Sequence, residues 1–276
     1  MARPTLEDVV ARIGETPRLP LVASQLLSLF KDAQAGTADI KRVLVYDPEF
    51  SSRVVQVAQG IAERNGRKIN DLNMAVNYLG FETLKSVVVL VGIMKALPDK
   101  KGAIRFQADR FWRHSLAAGI TYRYLARKKK LDADTAFLSG ILHDIGKLLI
   151  NHNLPSEMEQ MLLMSERAQS YMHTLEALVL DTSHGEVGAW LAESWGVSEE
   201  IVYFICHHHN VEKENQLVFP MASLADKILS ELGMSSPGSC GDISDEKESL
   251  NIRQLCRELK PELQVINYIF PEQHLN

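Results

Sequence analysis

The chain has 276 residues, 46% of them hydrophobic and 24% charged, with a formal net charge of −5. That length and composition suit one large domain or two small ones with a proper core and exclude a disordered polymer. The mild acidity gives no overall basic field for nucleic acid or an anionic membrane, and no apolar run reaches the ~20 residues needed to span a bilayer.

Helical periodicity dominates, and no convincing alternating strand interrupts it. Leu19, Val22, Ala23, Leu26, Leu27 and Phe30 recur at helical spacing behind Pro17 and Pro20, residues that suit a helix start. Thr37 is placed to cap a short helix carrying Ile40, Val43 and Leu44. Asp47-Pro48 reads as N-cap and first helical residue of the next, with Phe50, Val54, Val57 and Ile61 inward. Asp71 opens another helix, which Gly80 stops, and a longer one follows to about Leu97. The segment 72–97 has the outline of a DNA-reading helix-turn-helix. Its second helix carries Val87-Val88-Val89-Leu90-Val91, which leaves few polar side chains to reach bases, so a buried structural helix is expected.

Pro98-Asp99-Lys100-Lys101-Gly102 is the best internal boundary. It predicts a helical lobe over 1–100 and a second helical domain over 101–276. Within the second, 107–128 is helical, and 132–150 reads as one buried helix because 136–150 is apolar nearly all round. Arg127-Lys128-Lys129-Lys130 is a solvated C-terminal helix end. One or two helices fill 155–180. Ser183 with Glu186 forms a capping-box pattern for a helix ending before Gly196, and Ser198 caps the next, to about His209. Residues 219–232 are helical, 233–247 read as a mobile loop rich in Gly, Ser and Asp, and a last helix covers about 249–260. Cys206, Cys240 and Cys256 have no metal or redox spacing. With no secretory leader pattern, they predict a reducing cytoplasm.

The chemistry concentrates in the C-terminal half. His143 and Asp144 sit side by side in the most apolar helix, where an imidazole and a carboxylate are costly unless paired or bound to metal. At 100° per residue, His208 falls near the centre of the apolar face made by Ile201, Phe204 and Ile205; His209 lies at its edge and His207 points away. His114 lies near the line of Phe111, Ala118 and Leu125, Asp226 borders the face of Val218, Ala222, Ala225 and Leu229, and His184 stands at a helix N-terminus. A divalent metal would satisfy His114, His143, Asp144, His184, His208, His209 and Asp226 together, since neutral imidazole and carboxylate are preferred donors. The set exceeds one octahedral shell, so one or two ions are expected, with iron, manganese, zinc or nickel suited better than calcium. No Cys takes part, which argues against structural zinc. Asp144 and Lys147 are the candidate catalytic pair, the lysine placed to stabilise charge on a phosphoryl oxygen or else to pair with Asp144. Neither a nucleophile-elbow serine nor a Gly-rich phosphate loop is present.

These residues carry a resemblance. Arg18-Leu19-Pro20, Tyr46-Asp47-Pro48, Ala75-Val76-Asn77-Tyr78-Leu79-Gly80, Phe111-Trp112-Arg113-His114-Ser115, the run from Phe137 to Lys147, His184-Gly185-Glu186-Val187-Gly188-Ala189, Trp195 and Ile205-Cys206-His207-His208-His209 stand in the order found in bacterial HDOD proteins. The chain resembles that branch of the HD superfamily from about Leu19 to Val211. The resemblance implies an all-α fold with a helical N-terminal lobe packed on an HD-type helical core. It implies metal ligation by His114, His143, Asp144 and Asp226, as in HD phosphohydrolases. The related HD-GYP phosphodiesterases place further ligands at positions matching His184, His208 and His209, and a lysine matching Lys147. Two departures stand out: Asn210-Val211-Glu212-Lys213-Glu214 replaces the Gly-Tyr-Pro segment, and Ala58-Gln59-Gly60 replaces the Ala-Asn-Ser segment common in HDOD proteins. The resemblance to HDOD proteins, a group regarded as regulatory, implies a regulatory function through a signalling protein or a nucleotide-type ligand. The alternative is a metal-dependent phosphohydrolase acting on a nucleotide or cyclic dinucleotide.

Overall fold

The structure, a computed structural model, describes residues 3–29, 32, 34–63, 66–97, 102–168, 170–209, 220–238 and 246–270. Among these the fold is all-α. In chain order the helices are α1 (Leu6–Ile13), α2 (Leu21–Leu29), α3 (Thr37–Leu44), α4 (Pro48–Glu63), α5 (Leu72–Ala96), α6 (Ala108–Lys129), α7 (Ala133–Leu142) and α8 (Ile145–Asn153). They continue as α9 (Pro155–Ala168), α10 (Met172–Val179), α11 (His184–Ser194), α12 (Glu199–His207), α13 (Pro220–Glu231), α14 (Glu246–Leu263) and α15 (Ile266–Ile269). None of the described helices is long and apolar enough to cross a membrane. The chain forms two compact units, Met1–Thr16 with Lys100–Leu263, and Pro17–Asp99 with Gln264–Asn276. The boundary segment 98–101 and the Asn210–Glu214 departure lie outside the described residues.

In the unit built on Pro17–Asp99, α4 and α5 pack against each other, and α2 and α3 cover α5. Leu26, Ile40, Leu44, Phe50, Val54, Leu84, Val87 and Leu90 are buried at its centre. Asp47 caps α4 as its sequence predicts, accepting from the backbone N–H groups of Glu49 and Phe50. Asp71 likewise caps α5 through Met74. Gly80 breaks α5 with φ of +71°, a left-handed geometry that a β-carbon would strain. All of 87–91 is buried, so this helix presents no base-reading face. Thr37 is the first helical residue of α3 rather than its cap, which falls on Gly36.

In the other unit, α6 lies along α7, α8 crosses α11, α12 pairs with α11, and α13 and α14 cover α6. Its first residues are a surprise of the fold. Thr5 and Asp8 form a capping box on α1, and Thr5 forms an isolated bridge with Asp181. The expected single helix over 132–150 is two: α7 ends at Leu142 and α8 starts at Ile145. Asp144, with φ −98° and ψ 3°, turns the chain between them. The capping box of Ser183 and Glu186 starts α11 as the sequence predicts. Ser198 stands at the N-cap of α12 without a side-chain hydrogen bond.

Candidate metal centre

Two close helix crossings assemble the site. On α7, a β-carbon at Gly140 would stand 2.7 Å from the Ala118 carbonyl oxygen, so only glycine lets α7 lie this near α6. That brings the His114 and His143 rings to 5.2 Å between centroids. On α8, a β-carbon at Gly146 would stand 1.9 Å from the His184 carbonyl oxygen. Its absence brings the start of α11 against the start of α8, and His184 with it. The turn at Asp144 matters as much. Consecutive residues of a straight helix point 100° apart, whereas the break at Asp144 lets His143 and Asp144 face one centre.

Asp144 is the hub. Its Oδ2 faces His114 Nε2 at 3.6 Å and His143 Nε2 at 3.5 Å, while its Oδ1 faces His184 Nε2 at 3.3 Å and His208 Nε2 at 3.7 Å. Each oxygen therefore meets one pair of imidazoles. The Nε2 atoms within each pair are 3.3 Å apart for His114 and His143, and 3.2 Å apart for His184 and His208.

The other ring nitrogens decide what those contacts are. His114 Nδ1 donates to the Met234 carbonyl, His143 Nδ1 to Gly140, and His208 Nδ1 to Ile205, each at 2.8 Å. A carbonyl oxygen can only accept, so each of these rings keeps its proton on Nδ1 and, when neutral, presents a bare lone pair at Nε2. His184 Nδ1 donates to the Glu176 carboxylate at 2.7 Å. Two neutral imidazoles facing each other across 3.3 Å through Nε2, as His114 and His143 do, repel unless a cation stands between them. Asp144 Oδ1 is also buried and makes no hydrogen bond. This donor set fits a divalent cation, because oriented neutral imidazoles and a shared carboxylate are what such an ion binds. The ligand atoms fall into two groups, His114, His143 and Asp144, and Asp144, His184, His208 and His209, with the atoms of each group within 4.8 Å of one another.

Electrostatics separate His184 from the other rings. Burial holds His114, His143 and His208 below the usual imidazole range, which keeps them neutral. Burial also opposes charge on His184, but the Glu176 and Asp144 carboxylates outweigh it and raise that ring. Asp144 is held well below the ordinary carboxylate range: burial pushes it up, and His143 and Lys147 pull it down further.

Six of the seven residues proposed from sequence as metal ligands thus meet in the structure. Asp226, half-buried on α13, lies outside both groups of converging atoms. Burial and the Asp144 charge still raise its carboxyl to about 7. His207 takes no part, since its ring lies on Tyr203 and its Nδ1 donates to the Tyr203 carbonyl. Lys147 is buried and pairs with Asp144 Oδ2 at 2.8 Å and with Ser236 Oγ at 3.2 Å. His209 is the exposed member, and its ring stacks on His173 at 4.4 Å.

Three contributors escaped the sequence. Glu176 reads there as one acidic residue on an apolar helix, yet it is fully buried against His184. Met234 and Ser236 fall in the stretch expected to be a mobile loop. Its described part, 233–238, is instead tied to the centre through His114 and Lys147; 239–245 lie outside the described residues.

The sequence profile of the HDOD domain matches residues 16–211. The fold is similar to that of an HDOD domain protein of unknown function from Geobacter sulfurreducens, with a TM-score of 0.78, 20% identity and 97% of each chain covered. It is also similar to that of a candidate phosphohydrolase from Shewanella amazonensis SB2B, with a TM-score of 0.71 and 23% identity over 95% of this chain and 96% of that one. An uncharacterized protein of Treponema pallidum is 21% identical over 219 residues, which are 78% of this chain and 42% of that protein. The chain spans less than half the length of the curated relatives it matches.

Proposed function

The chain belongs to the HDOD family, and from that we propose that it is a cytoplasmic regulatory protein whose HD-type unit holds one or two divalent transition-metal ions and acts through a nucleotide-type ligand or a signalling partner. The observation that carries the metal is the convergence of the Nε2 atoms of His114, His143, His184 and His208 on the two oxygens of Asp144. His209 completes the second group, and iron, manganese, zinc and nickel all suit such donors. Asp226, outside both groups of converging atoms, is kept as a further candidate ligand because its carboxyl near neutrality can give up its proton to a cation. Burial supports regulation over turnover: His114, His143, Asp144 and His184 are each 3% exposed or less, which suits a site that holds an ion and reports its presence.

A second reading, metal-dependent phosphohydrolysis, draws on Lys147. Its ammonium is buried between the shared carboxylate and Ser236, where it would stabilise negative charge on a phosphoryl oxygen. The ion would supply Lewis acidity toward that oxygen. One experiment separates the readings. The protein is loaded with iron or manganese, its metal content is measured, and it is offered nucleotides and cyclic dinucleotides. The regulatory reading expects bound metal without turnover, and a partner from the native host retained by the loaded protein but not by Asp144→Ala. Turnover lost in Asp144→Ala establishes the hydrolase instead. Absence of bound metal refutes both.

A further inference from the structure

The two halves of the centre are built differently, and the difference lies behind the ligands. His114, His143 and His208 each give their Nδ1 proton to a neutral backbone carbonyl. His184 alone gives it to a carboxylate, Glu176, whose Oε1 and Oε2 lie 2.8 and 2.7 Å from Nδ1. Glu176 Oε2 also accepts from the His184 backbone N–H at 3.0 Å. Glu176 is fully buried. A buried carboxylate is tolerated where donors meet it, and here they are the His184 ring and an N–H at the first turn of α11, the positive end of a helix dipole.

We infer that Glu176 is a positioning residue that makes the Asp144–His184–His208–His209 half the tighter of two unequal ion sites. The inference rests on the metal-centre reading above. A carboxylate behind an imidazole fixes its orientation and raises its basicity, so Nε2 becomes a stronger donor. The same carboxylate adds a negative charge close to the ion in surroundings of low dielectric, where charges act strongly. The backbone carbonyls behind His114 and His143 fix the tautomer but add no such charge. Because Glu176 also grips the His184 backbone, it sets where α11 begins and thus where the ring points.

The test is titration of the metal-free protein with manganese(II) alone, followed by calorimetry and by the signal of free manganese. The unmodified protein is expected to show a tight and a weaker class of site. Glu176→Gln, which keeps the shape and removes the charge, should weaken the tight class about 10- to 100-fold and leave the weaker class unchanged. Glu176→Asp, which keeps the charge on a shorter arm, should fall between the two; it also serves as the test should Glu176→Gln fail to fold. Melting of the metal-free variants checks that the loss is not one of structure. Unchanged tight binding in Glu176→Gln, or equal weakening of both classes, overturns the inference, as does Glu176→Asp binding no better than Glu176→Gln or, tested alone, as tightly as the unmodified protein. An unmodified protein that takes up no manganese, iron or zinc overturns the metal-centre reading itself, before any variant is compared.

Discussion

Lys147 Nζ lies 2.8 Å from Asp144 Oδ2, with both side chains almost wholly buried at the turn where α7 gives way to α8. The carboxylate is thus shared between two pairs of imidazoles and one ammonium. Removing it should do two separable things. Asp144→Ala takes a ligand from both groups at once, so bound metal should be lost from the whole centre. It also leaves the Lys147 ammonium buried without its carboxylate, a change that costs about 3–5 kcal/mol in comparable pairs. Adding Lys147→Met to Asp144→Ala should therefore recover much of the stability of the metal-free protein but none of the metal. Urea unfolding and elemental analysis read the two effects independently. Equal stability of the single and double variants would show that the pair contributes little.

Metal binding should stabilise the unit that contains the centre. An ion present at a hundred times its Kd adds about 2.7 kcal/mol if it binds only the folded state. All three tryptophans, Trp112, Trp190 and Trp195, belong to that unit. Tryptophan fluorescence therefore reports its melting alone. The expected result is a fluorescence midpoint that rises with manganese or zinc and falls back with chelator. A midpoint indifferent to metal at concentrations shown to load the protein would contradict the placement of the ion.

How far the sequence led depends on the kind of signal. His114 and His208 were legible because helical phase turns them inward, and His143 because it stands in a run apolar nearly all round; all three are buried. The break at Asp144 was not legible. When both flanking helices are buried on every side, apolar residues fill all phases, and periodicity cannot register a lost turn. Glu176 was hidden for the opposite reason, since one acid in Met172–Val179 looks like a solvated position until the partner eight residues later is known. Residues 1–16 join the unit of α6 to α14 because α1 packs on α8 and α11 and Arg3, Pro4 and Thr5 meet Ala177 and Asp181. No local pattern encodes a contact across that separation.

The unit formed by Pro17–Asp99 and Gln264–Asn276 carries its own electrostatic clamp. Asp47 caps α4 and also pairs with Lys95, which lies 3.2 Å away on α5. Asp47→Ala should cost about 0.5–2 kcal/mol for the cap. Burial pushes the Asp47 carboxyl up, but the Phe50 amide and the Lys95 ammonium bring it below its ordinary value. A carboxyl lowered by folding contributes stability above its unfolded pKa of about 3.9 and loses it as pH falls through the folded value. The gap in stability between wild type and Asp47→Ala should thus be full near neutrality and narrow below about pH 4. For Lys95 burial acts downward, and Glu49 and Asp47 outweigh it to raise the ammonium. Its contribution is full below the ordinary lysine value and fades only as pH rises above about 10. Circular-dichroism melts from pH 3 to 7 measure the acid side, and a gap that stays constant there would exclude the clamp.

The glycine of His143-Asp144-Ile145-Gly146-Lys147 should be the most sensitive small residue of the centre, and a ranking tests why. A β-carbon at Gly146 would meet the backbone of α11 on both counts, the His184 carbonyl oxygen at 1.9 Å and the Gly188 nitrogen at 2.8 Å. Neither atom can move without shifting the helix. At Gly188 the nearest atoms, the Gly146 nitrogen and the Ile205 side chain, stand at 3.1 Å, tight contacts that a shift of a few tenths of an ångström relieves. Overpacking a tight interior typically costs about 1–3 kcal/mol and more where backbone must yield. Gly146→Ala should therefore destabilise beyond that range, and Gly188→Ala at or below its lower end. Metal affinity should follow the same order, because pushing α11 away from α8 carries His184 Nε2 from its present 3.3 Å out of reach of Asp144 Oδ1. Urea unfolding with manganese titration of both variants decides it. Gly188→Ala proving the more damaging, or Gly146→Ala keeping full affinity, would mean that this crossing does not set the position of His184.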